Sequence, residues 1–194
     1  MAAVTVSRQL GSLGTQIARE VAQRLGYRMV WREVINEAAR RAGAPEAALA
    51  MIDDLGLLDV DLHPEASRAY EEAVREVMDD LASEGDVVIV GRAGQVILAD
   101  RPNALHVRVI APLALRVEQI ASAQNIPAAA ARAQIEQSDR TRRDHLRGYH
   151  GVDWNDPRLY DLVLNTAGLT VEGCVDLVCH ALARRDQTSD AGTP

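Results

Sequence analysis

The stretch that decides the fold is Val4-Thr5-Val6-Ser7-Arg8-Gln9-Leu10-Gly11-Ser12-Leu13-Gly14-Thr15-Gln16-Ile17. It opens with β-branched residues typical of a strand, passes two glycines, and then takes up a helical pattern. A strand, a glycine loop and a helix in that order form an anion site, because the N–H groups of the loop and first helical turn point to one place. The sequence therefore predicts an anion-binding loop over residues 7–16. A glycine turn that only packs the helix on its strand is the alternative.

The loop departs from the phosphate-binding signature GxxxxGK[ST]. With the signature aligned to end at Gly14, Gln9 takes the first glycine position, Thr15 the lysine position and Gln16 the Ser/Thr position. The usual cation and magnesium-binding hydroxyl are therefore both missing. Gly11 and Gly14 also match the GxxG of KH domains, but that loop joins two helices, whereas a strand precedes this one.

Composition restricts the class of protein. The chain has 194 residues, of which 47% are hydrophobic and 25% charged, as expected for one globular α/β domain. The net charge of −7 argues against nucleic-acid or membrane-surface binding. All 21 basic residues are arginine, so a phosphate must be bound by a guanidinium or a backbone amide. Without a visible signal peptide or membrane span, we expect a cytoplasmic protein. Cys174 and Cys179 are expected to be small buried residues, with no disulfide or metal.

Helical and strand patterns alternate along the chain. Strands are predicted at residues 2–6, 27–30, 86–90, 104–110 and 162–165, and helices at 14–25, 32–42, 64–83, 112–123, 127–147 and 171–183. The form of residues 45–63 is left open. The alternation predicts one domain over residues 1–185, built as a parallel sheet with helices on both faces, and a disordered tail over 186–194. Ligands of such folds bind at the carboxyl ends of the strands.

Arginines follow two of the predicted strands. Arg92 comes directly after the most hydrophobic strand and suits a phosphate or a base edge, although an arginine at the rim of a sheet can equally form a salt bridge. Arg32, with Glu33, follows the second strand, where surface charges that begin a helix need no function. We treat both arginines as candidate ligand-binding residues.

A cluster of arginines lies on the helix predicted at 127–147, with the sequence Asp139-Arg140-Thr141-Arg142-Arg143-Asp144 and then Arg147. Asp139 with Arg143, and Arg140 with Asp144, have the i,i+4 spacing of ion pairs on a solvated helix. A lid that closes over transferring phosphoryl oxygens would use the same arginines. The spacing alone does not decide between the two.

Taken together, these stretches resemble the cytidylate kinase-like family of nucleoside monophosphate kinases. Six blocks carry the resemblance: residues 7–14 (similar to SRQxGSGG), 25–35 (LGxxYxDxExI), 88–93 (VIVGRGA), 106–116 (hVxixAPxxxR), 139–142 (DxxR) and 153–166 (dWxdPxxYDLxxNT). The likeness covers nearly the whole chain, and the last two blocks are specific.

The resemblance implies a three-layer P-loop nucleotide kinase fold with a five-stranded parallel sheet and a helical lid at about residues 127–150. It implies transfer of the γ-phosphoryl group of ATP to a nucleoside monophosphate such as cytidylate, with Mg²⁺ arriving on the ATP and no metal site on the protein. The implied roles are phosphate binding by Gly11, Ser12, Leu13, Gly14, Thr15 and Gln16, catalysis by Arg8 and Arg142, acceptor binding by Arg92, Asp139 and Arg32, and a lid with Arg140, Arg143 and Arg147. Trp154 and Tyr160 are expected to pack the end of the lid onto the sheet.

Trp31 stands where the family has an acid after the second strand, which removes a candidate partner for magnesium. A catalytically impaired nucleotide-binding domain is therefore an alternative to an active kinase. An NADP-dependent oxidoreductase, with Gly11 and Gly14 as its dinucleotide loop and Arg32 on the 2′-phosphate, does not explain the arginine-rich lid. The acceptor base, and whether the chain forms a homo-oligomer, are left open.

Overall fold

Five parallel strands form the central sheet of the protein, seen in a computed structural model that describes residues 1–43 and 64–190. The strand order is β2-β3-β1-β4-β5. The strands are β1 (Ala3–Arg8), β2 (Arg28–Val30), β3 (Val87–Val90), β4 (Ala104–Ile110) and β5 (Leu162–Asn165). All four residues of β3 are fully buried, because helices cover both faces of a parallel sheet.

Helices lie on both faces of the sheet. They are α1 (Gly14–Leu25), α2 (Arg32–Arg41), α3 (Pro64–Glu84), α4 (Gly94–Ile97), α5 (Leu113–Gln124), α6 (Ala128–His150) and α7 (Val171–Asp190). The core on one face joins the sheet to α1 and α7, and the core on the other joins it to α2 and α3. The predicted three-layer architecture is confirmed.

The predicted elements differ from the observed ones mainly at their ends. α7 was expected to end at residue 183 but extends to Asp190, into the predicted tail, while residues 191–194 lie outside the described part of the chain. The segment 45–63 lies outside it as well. The short helix α4 was not predicted.

The predicted lid is one continuous helix, α6, which follows α5 after a short turn. The two helices pack against each other through a small apolar cluster around Ile120, Ala131 and Ile135. The other end of α6 packs on the sheet side, where Leu146 contacts Ala93 and Trp154. The helix therefore spans the carboxyl ends of the strands. In the described residues, no helix combines the length and hydropathy needed to cross a membrane.

Candidate active site

The loop between β1 and α1 is held in one shape by contacts with β4. Ser12 is fully buried, and its hydroxyl donates to the carbonyl oxygens of Gln9 at 2.8 Å and Val109 at 3.1 Å. The side-chain oxygen of Gln9 in turn accepts from the backbone N–H of Ala111 at 3.1 Å. The loop is thus bound at both sides to the strand that neighbours β1, which fixes its backbone N–H groups in space.

Both glycines of the loop are required by its geometry. Gly11 has a φ of 81°, and a Cβ there would lie 2.7 Å from the carbonyl oxygen of Arg116. A Cβ on Gly14 would collide with the side chain of Arg8 and lie 3.1 Å from that of Val109. Gly11 therefore lets the loop approach α5 closely, and Gly14 lets the start of α1 approach β1 and β4.

A large cavity lies in front of this loop and the first turn of α1. Its volume is about 920 Å³, and Gly11, Leu13, Gly14, Thr15 and Gln16 line one side of it, opposite α5 and α6. α1 begins without a side-chain cap, so the N–H groups of its first turn point toward the cavity. The loop is concave and suited to an anion.

Oxygen ligands for a metal ion are sparse in this cavity. Its lining among the described residues contains no carboxylate. The side chain of Gln16 donates to Glu20 at 3.0 Å on the exposed side of α1, and the hydroxyl-bearing residue next to it, Thr15, lines the cavity. The donor set does not form a Mg²⁺ site by itself.

Three arginines converge on a second, smaller cavity at the carboxyl ends of β1 and β3. Arg8, Arg92 and Arg142 line this cavity of about 60 Å³, together with Trp31 and Trp154. Arg8, Trp31 and Arg142 also line the larger cavity. The two cavities thus meet at a pair of guanidinium groups.

Arg8 is a buried cation of the site whose pKa is strongly lowered. Its side chain is buried, and its guanidinium lies 5.2 Å from the centre of the Trp31 ring. Burial and the positive charges of Arg142 and Arg92 lower its pKa well below the ordinary value, to about 9. In the described part of the chain no salt bridge joins Arg8 to a carboxylate. A buried guanidinium beside two other arginines is complementary to a bound phosphate.

The backbone around Arg92 has an unusual conformation. Gly91, Arg92 and Ala93 have φ values of 81°, 54° and 53°, and α4 begins at the next residue. Left-handed conformations of residues other than glycine cost about 1–3 kcal/mol each. A side chain at Gly91 would be strained by the positive φ, and its Cβ would push the Arg8 guanidinium away. This turn places Arg92 beside Arg8, as strained backbone often does at functional sites.

A buried polar network supports the wall of the smaller cavity. The indole of Trp154 donates to the Ser7 hydroxyl at 2.9 Å. Arg108 stacks 4.3 Å from the centre of that indole and donates to the Tyr160 hydroxyl at 3.1 Å and to Asn155 at 2.9 Å. Trp154 and Tyr160 therefore pack the chain after α6 onto β1 and β4, and Trp154 also faces the cavity.

Most of the other predicted arginines lie elsewhere. Arg140, Arg143 and Arg147 are exposed and line neither cavity. Arg140 instead donates to Gln137 at 2.8 Å. Arg32 is also exposed, on the outer side of Trp31. Of the cluster on α6, only Arg142 reaches the site, held by a 2.6 Å hydrogen bond from its guanidinium to Ser138.

Asp139 lines neither cavity and instead forms an ion pair with α5. Its carboxylate is buried and pairs with Arg116 of α5 at 3.0 Å and 3.1 Å, so the predicted i,i+4 pair with Arg143 is replaced by a pair between two helices. Arg116 also donates to the carbonyl oxygen of Leu10 at 3.5 Å. The pair therefore joins the arginine-bearing helix to the anion-binding loop.

Sequence reasoning missed several residues of the smaller cavity, including Ser7, Gln95 and His145. His145 lies one turn after Arg142, so helical periodicity could have placed it on the same face. Ser7 alternates with Thr5 on β1, and Arg108 with His106 on β4. Polar residues at alternating positions of a buried strand were the available signal.

A parallel sheet in this order, with a glycine loop opening α1 and arginines at the carboxyl ends of the strands, defines a P-loop kinase fold. The chain is similar in structure to a gluconokinase from Sinorhizobium meliloti, with a TM-score of 0.56, 14% identity, and coverage of 99% of this chain and 98% of that one. It is more similar to an uncharacterized protein from Eubacterium ventriosum, with a TM-score of 0.75, 16% identity, and coverage of 94% and 99%.

The chain belongs to the cytidylate kinase-like family, which it matches over residues 3–168. The resemblance found in the sequence is thereby confirmed. A relative is the cytidylate kinase of Pyrococcus horikoshii, which is 30% identical over 192 residues that cover 98% of this chain and 93% of that protein.

Proposed function

We propose that this protein is a nucleoside monophosphate kinase that transfers the γ-phosphoryl group of ATP to a cytidylate-like acceptor. The observation that carries the proposal is the meeting of the two cavities at Arg8 and Arg142. A donor phosphate chain bound by the loop and an acceptor phosphate bound by Arg92 would both end at these guanidinium groups. That arrangement places positive charge where charge develops during transfer.

Each residue of the site would have a separate role in the proposed reaction. An oxygen of the acceptor phosphate attacks the γ-phosphorus, the bond from that phosphorus to the β–γ bridging oxygen breaks, and ADP leaves. The amides of Gly14 and Thr15 would hold the donor phosphates. Arg92 would orient the acceptor phosphate, and Arg142 would contact the transferring group.

Arg8 supplies a cation that the loop itself lacks. The lysine of the usual signature is replaced by Thr15, but the Arg8 side chain packs against Gly14 from β1. Its guanidinium stays charged at neutral pH, because its pKa of about 9 lies well above 7. Mg²⁺ fits only as a companion of ATP, held by phosphate oxygens and water with the Thr15 hydroxyl in reach, and would neutralise phosphate charge there.

A coupled assay of ADP release tests the proposal, with ATP and Mg²⁺ present and CMP, UMP or AMP as acceptor. We expect ADP release that depends on the acceptor, with CMP preferred. Arg142→Ala should lower kcat by about a hundredfold or more and change ATP affinity by about tenfold or less, because a lid arginine acts mainly on the transition state. Arg132→Ala is the matched control, since Arg132 is exposed on the same helix and pairs with Glu136.

The second candidate, a nucleotide-binding domain without turnover, is favoured by the outward orientation of Gln16 toward Glu20 and by Trp31 in place of an acid. Such a domain would bind ATP in a calorimetric titration but release no ADP above background with any monophosphate. That outcome would refute the kinase proposal and leave the fold assignment intact.

A further inference from the structure

A group of metal-ligating side chains lies next to the smaller cavity, between α3 and the last turns of α6. It consists of Glu71, His145 and His150, all partly buried. One ligand atom from each residue lies within 4.8 Å of the other two, and Nε2 of His145 lies 3.8 Å from Oε1 of Glu71. The kinase chemistry proposed above uses none of the three.

The spacing of these atoms is close to what a small cation requires. A tetrahedral Zn²⁺ ion holds nitrogen and oxygen ligands at about 2.0–2.2 Å, so two ligand atoms on one ion lie roughly 3.3 Å apart. The Glu71–His145 distance of 3.8 Å exceeds that by about half an ångström, and no separation in the group exceeds 4.8 Å.

One ligand atom of the group has no hydrogen-bond partner in the described part of the chain. This atom is Nε2 of His150, which is buried. The Glu71–His145 distance is too long for a hydrogen bond.

Two cations near the group restrict which ion it accepts. The positive charge of Arg92 acts on Glu71 and His145. The positive charge of Arg75 acts on Glu71 and His150. An ion held mainly by charge, such as Mg²⁺ or Ca²⁺, would be disfavoured beside them. An ion with strong bonds to imidazole overcomes that repulsion, as Zn²⁺ and its first-row neighbours do.

We propose that Glu71, His145 and His150 bind a divalent transition-metal ion of the Zn²⁺ type. Two histidines and one carboxylate leave a fourth position for water. The bound ion would join the carboxyl-terminal end of α6 to α3. Because Arg142 lies one turn before His145, the ion would also fix the part of α6 that reaches the smaller cavity.

Titration of the chelator-treated protein with Co²⁺, followed by its visible absorption, tests the site, and Zn²⁺ competition gives the affinity for zinc. We expect one saturable equivalent of Co²⁺, displaced by Zn²⁺ and not by millimolar Mg²⁺. Glu71→Gln and His150→Ala should each weaken binding more than tenfold, since loss even of an outer-shell partner costs about 10–100-fold. His180→Ala is the control, because His180 is exposed on α7, and it should bind Co²⁺ as the unmodified protein does.

Circular dichroism establishes that each variant is folded, and Glu71→Gln alone is sufficient if His150→Ala does not fold. Absence of saturable Co²⁺ binding would overturn the proposal. So would binding that both variants retain, or the intense near-ultraviolet absorption of a Co²⁺–thiolate bond, which would assign the ion to Cys174 or Cys179. None of these results depends on whether the protein transfers phosphate.

Discussion

Replacement of Arg8 by methionine should stabilise the protein without ligand and abolish its response to phosphate. The buried guanidinium lies among the charges of Arg92 and Arg142 and has no salt bridge to a carboxylate in the described ranges. Methionine keeps an unbranched apolar stem for the contacts with Gly14 and Trp31. The folded protein therefore loses an unfavourable charge and little packing.

The expected size follows from the pKa of Arg8. Burial and like charges lower the pKa of this guanidinium from its ordinary value to about 9 in the folded protein, which disfavours its charged form by about 5 kcal/mol. Because the folded-state pKa of this base is lowered, the cost is fully present below pH 9 and is relieved as the pH rises above that value. Loss of the Trp31 contact removes about 1–2 kcal/mol of stabilisation, and imperfect packing removes more. We expect a net gain of about 1–3 kcal/mol, or a rise in Tm of about 2–10 °C.

Thermal unfolding at pH 7, with and without inorganic phosphate, provides the assay. Phosphate should raise the Tm of the unmodified protein, since a ligand that binds only the folded state stabilises it. The same addition should leave the Tm of Arg8→Met unchanged. The ADP-release assay should show turnover at least a hundredfold lower in this variant.

Arg108→Met is the matched control. Arg108 is as deeply buried as Arg8 but donates to Tyr160 and Asn155 and stacks on Trp154. Its loss leaves buried acceptors without a donor, so this variant should be destabilised. A fall in Tm for Arg8→Met as large as that for Arg108→Met would show that Arg8 is a structural cation and refute the reasoning.

Three further predictions concern the loop, the helix pair and acid stability. Crystals soaked in sulfate should show an anion bound to the amides of Gly14 and Thr15. Gly14→Ala should abolish sulfate binding because the new Cβ displaces Arg8, whereas Gly148→Ala should retain it, since a Cβ there meets nothing within 4 Å. Asp139→Asn should lower the unfolding free energy by about 3–5 kcal/mol in urea denaturation, since Arg116 stays buried without its partner, while Glu136→Gln at an exposed pair should change it by less than about 1 kcal/mol. Burial lowers the pKa of His106 below 6.5, so that His106 takes up a proton in the unfolded chain before it does so in the folded protein. The free energy of unfolding should therefore fall as the pH drops below 6.5, and this fall should be smaller in His106→Gln.

The sheet could be predicted because its signals are local. Residues that are adjacent in sequence determine the apolar strand β3, the bounds of β4 and β5, and the strand–loop–helix unit at the start of the chain. The helix α4 could not be predicted, because its start depends on the left-handed conformations of Arg92 and Ala93, which no side-chain pattern requires.

The site was predictable where a residue follows a strand directly and not where it depends on a distant partner. Arg8 and Arg92 end or follow strands, and both line the smaller cavity. The ion pair of Asp139 could not be predicted, because its partner, Arg116, lies on another helix. The turn between α5 and α6 brings these residues together, whereas an i,i+4 spacing considers only one helix. Periodicity within one helix likewise does not show that, of the arginine cluster on α6, only Arg142 lines the two cavities.

The absence of a lysine in the loop does not by itself decide against catalysis. Phosphoryl transfer requires positive charge next to the transferring group in a site that excludes water. The residue that supplies this charge can lie on any element that reaches the site. In the proposed reaction Arg8 would supply that charge from β1 instead of α1, at the cost of a buried guanidinium that is repelled by its neighbours when no ligand is bound. That cost is what distinguishes a functional cation from a structural one, since a structural arginine such as Arg108 is paired before any ligand arrives. Repulsion among the arginines lowers the free energy of unfolding without ligand, and a bound phosphate would offset that repulsion. Replacement of Arg8 should therefore raise the Tm without ligand and remove the further rise in Tm that phosphate produces.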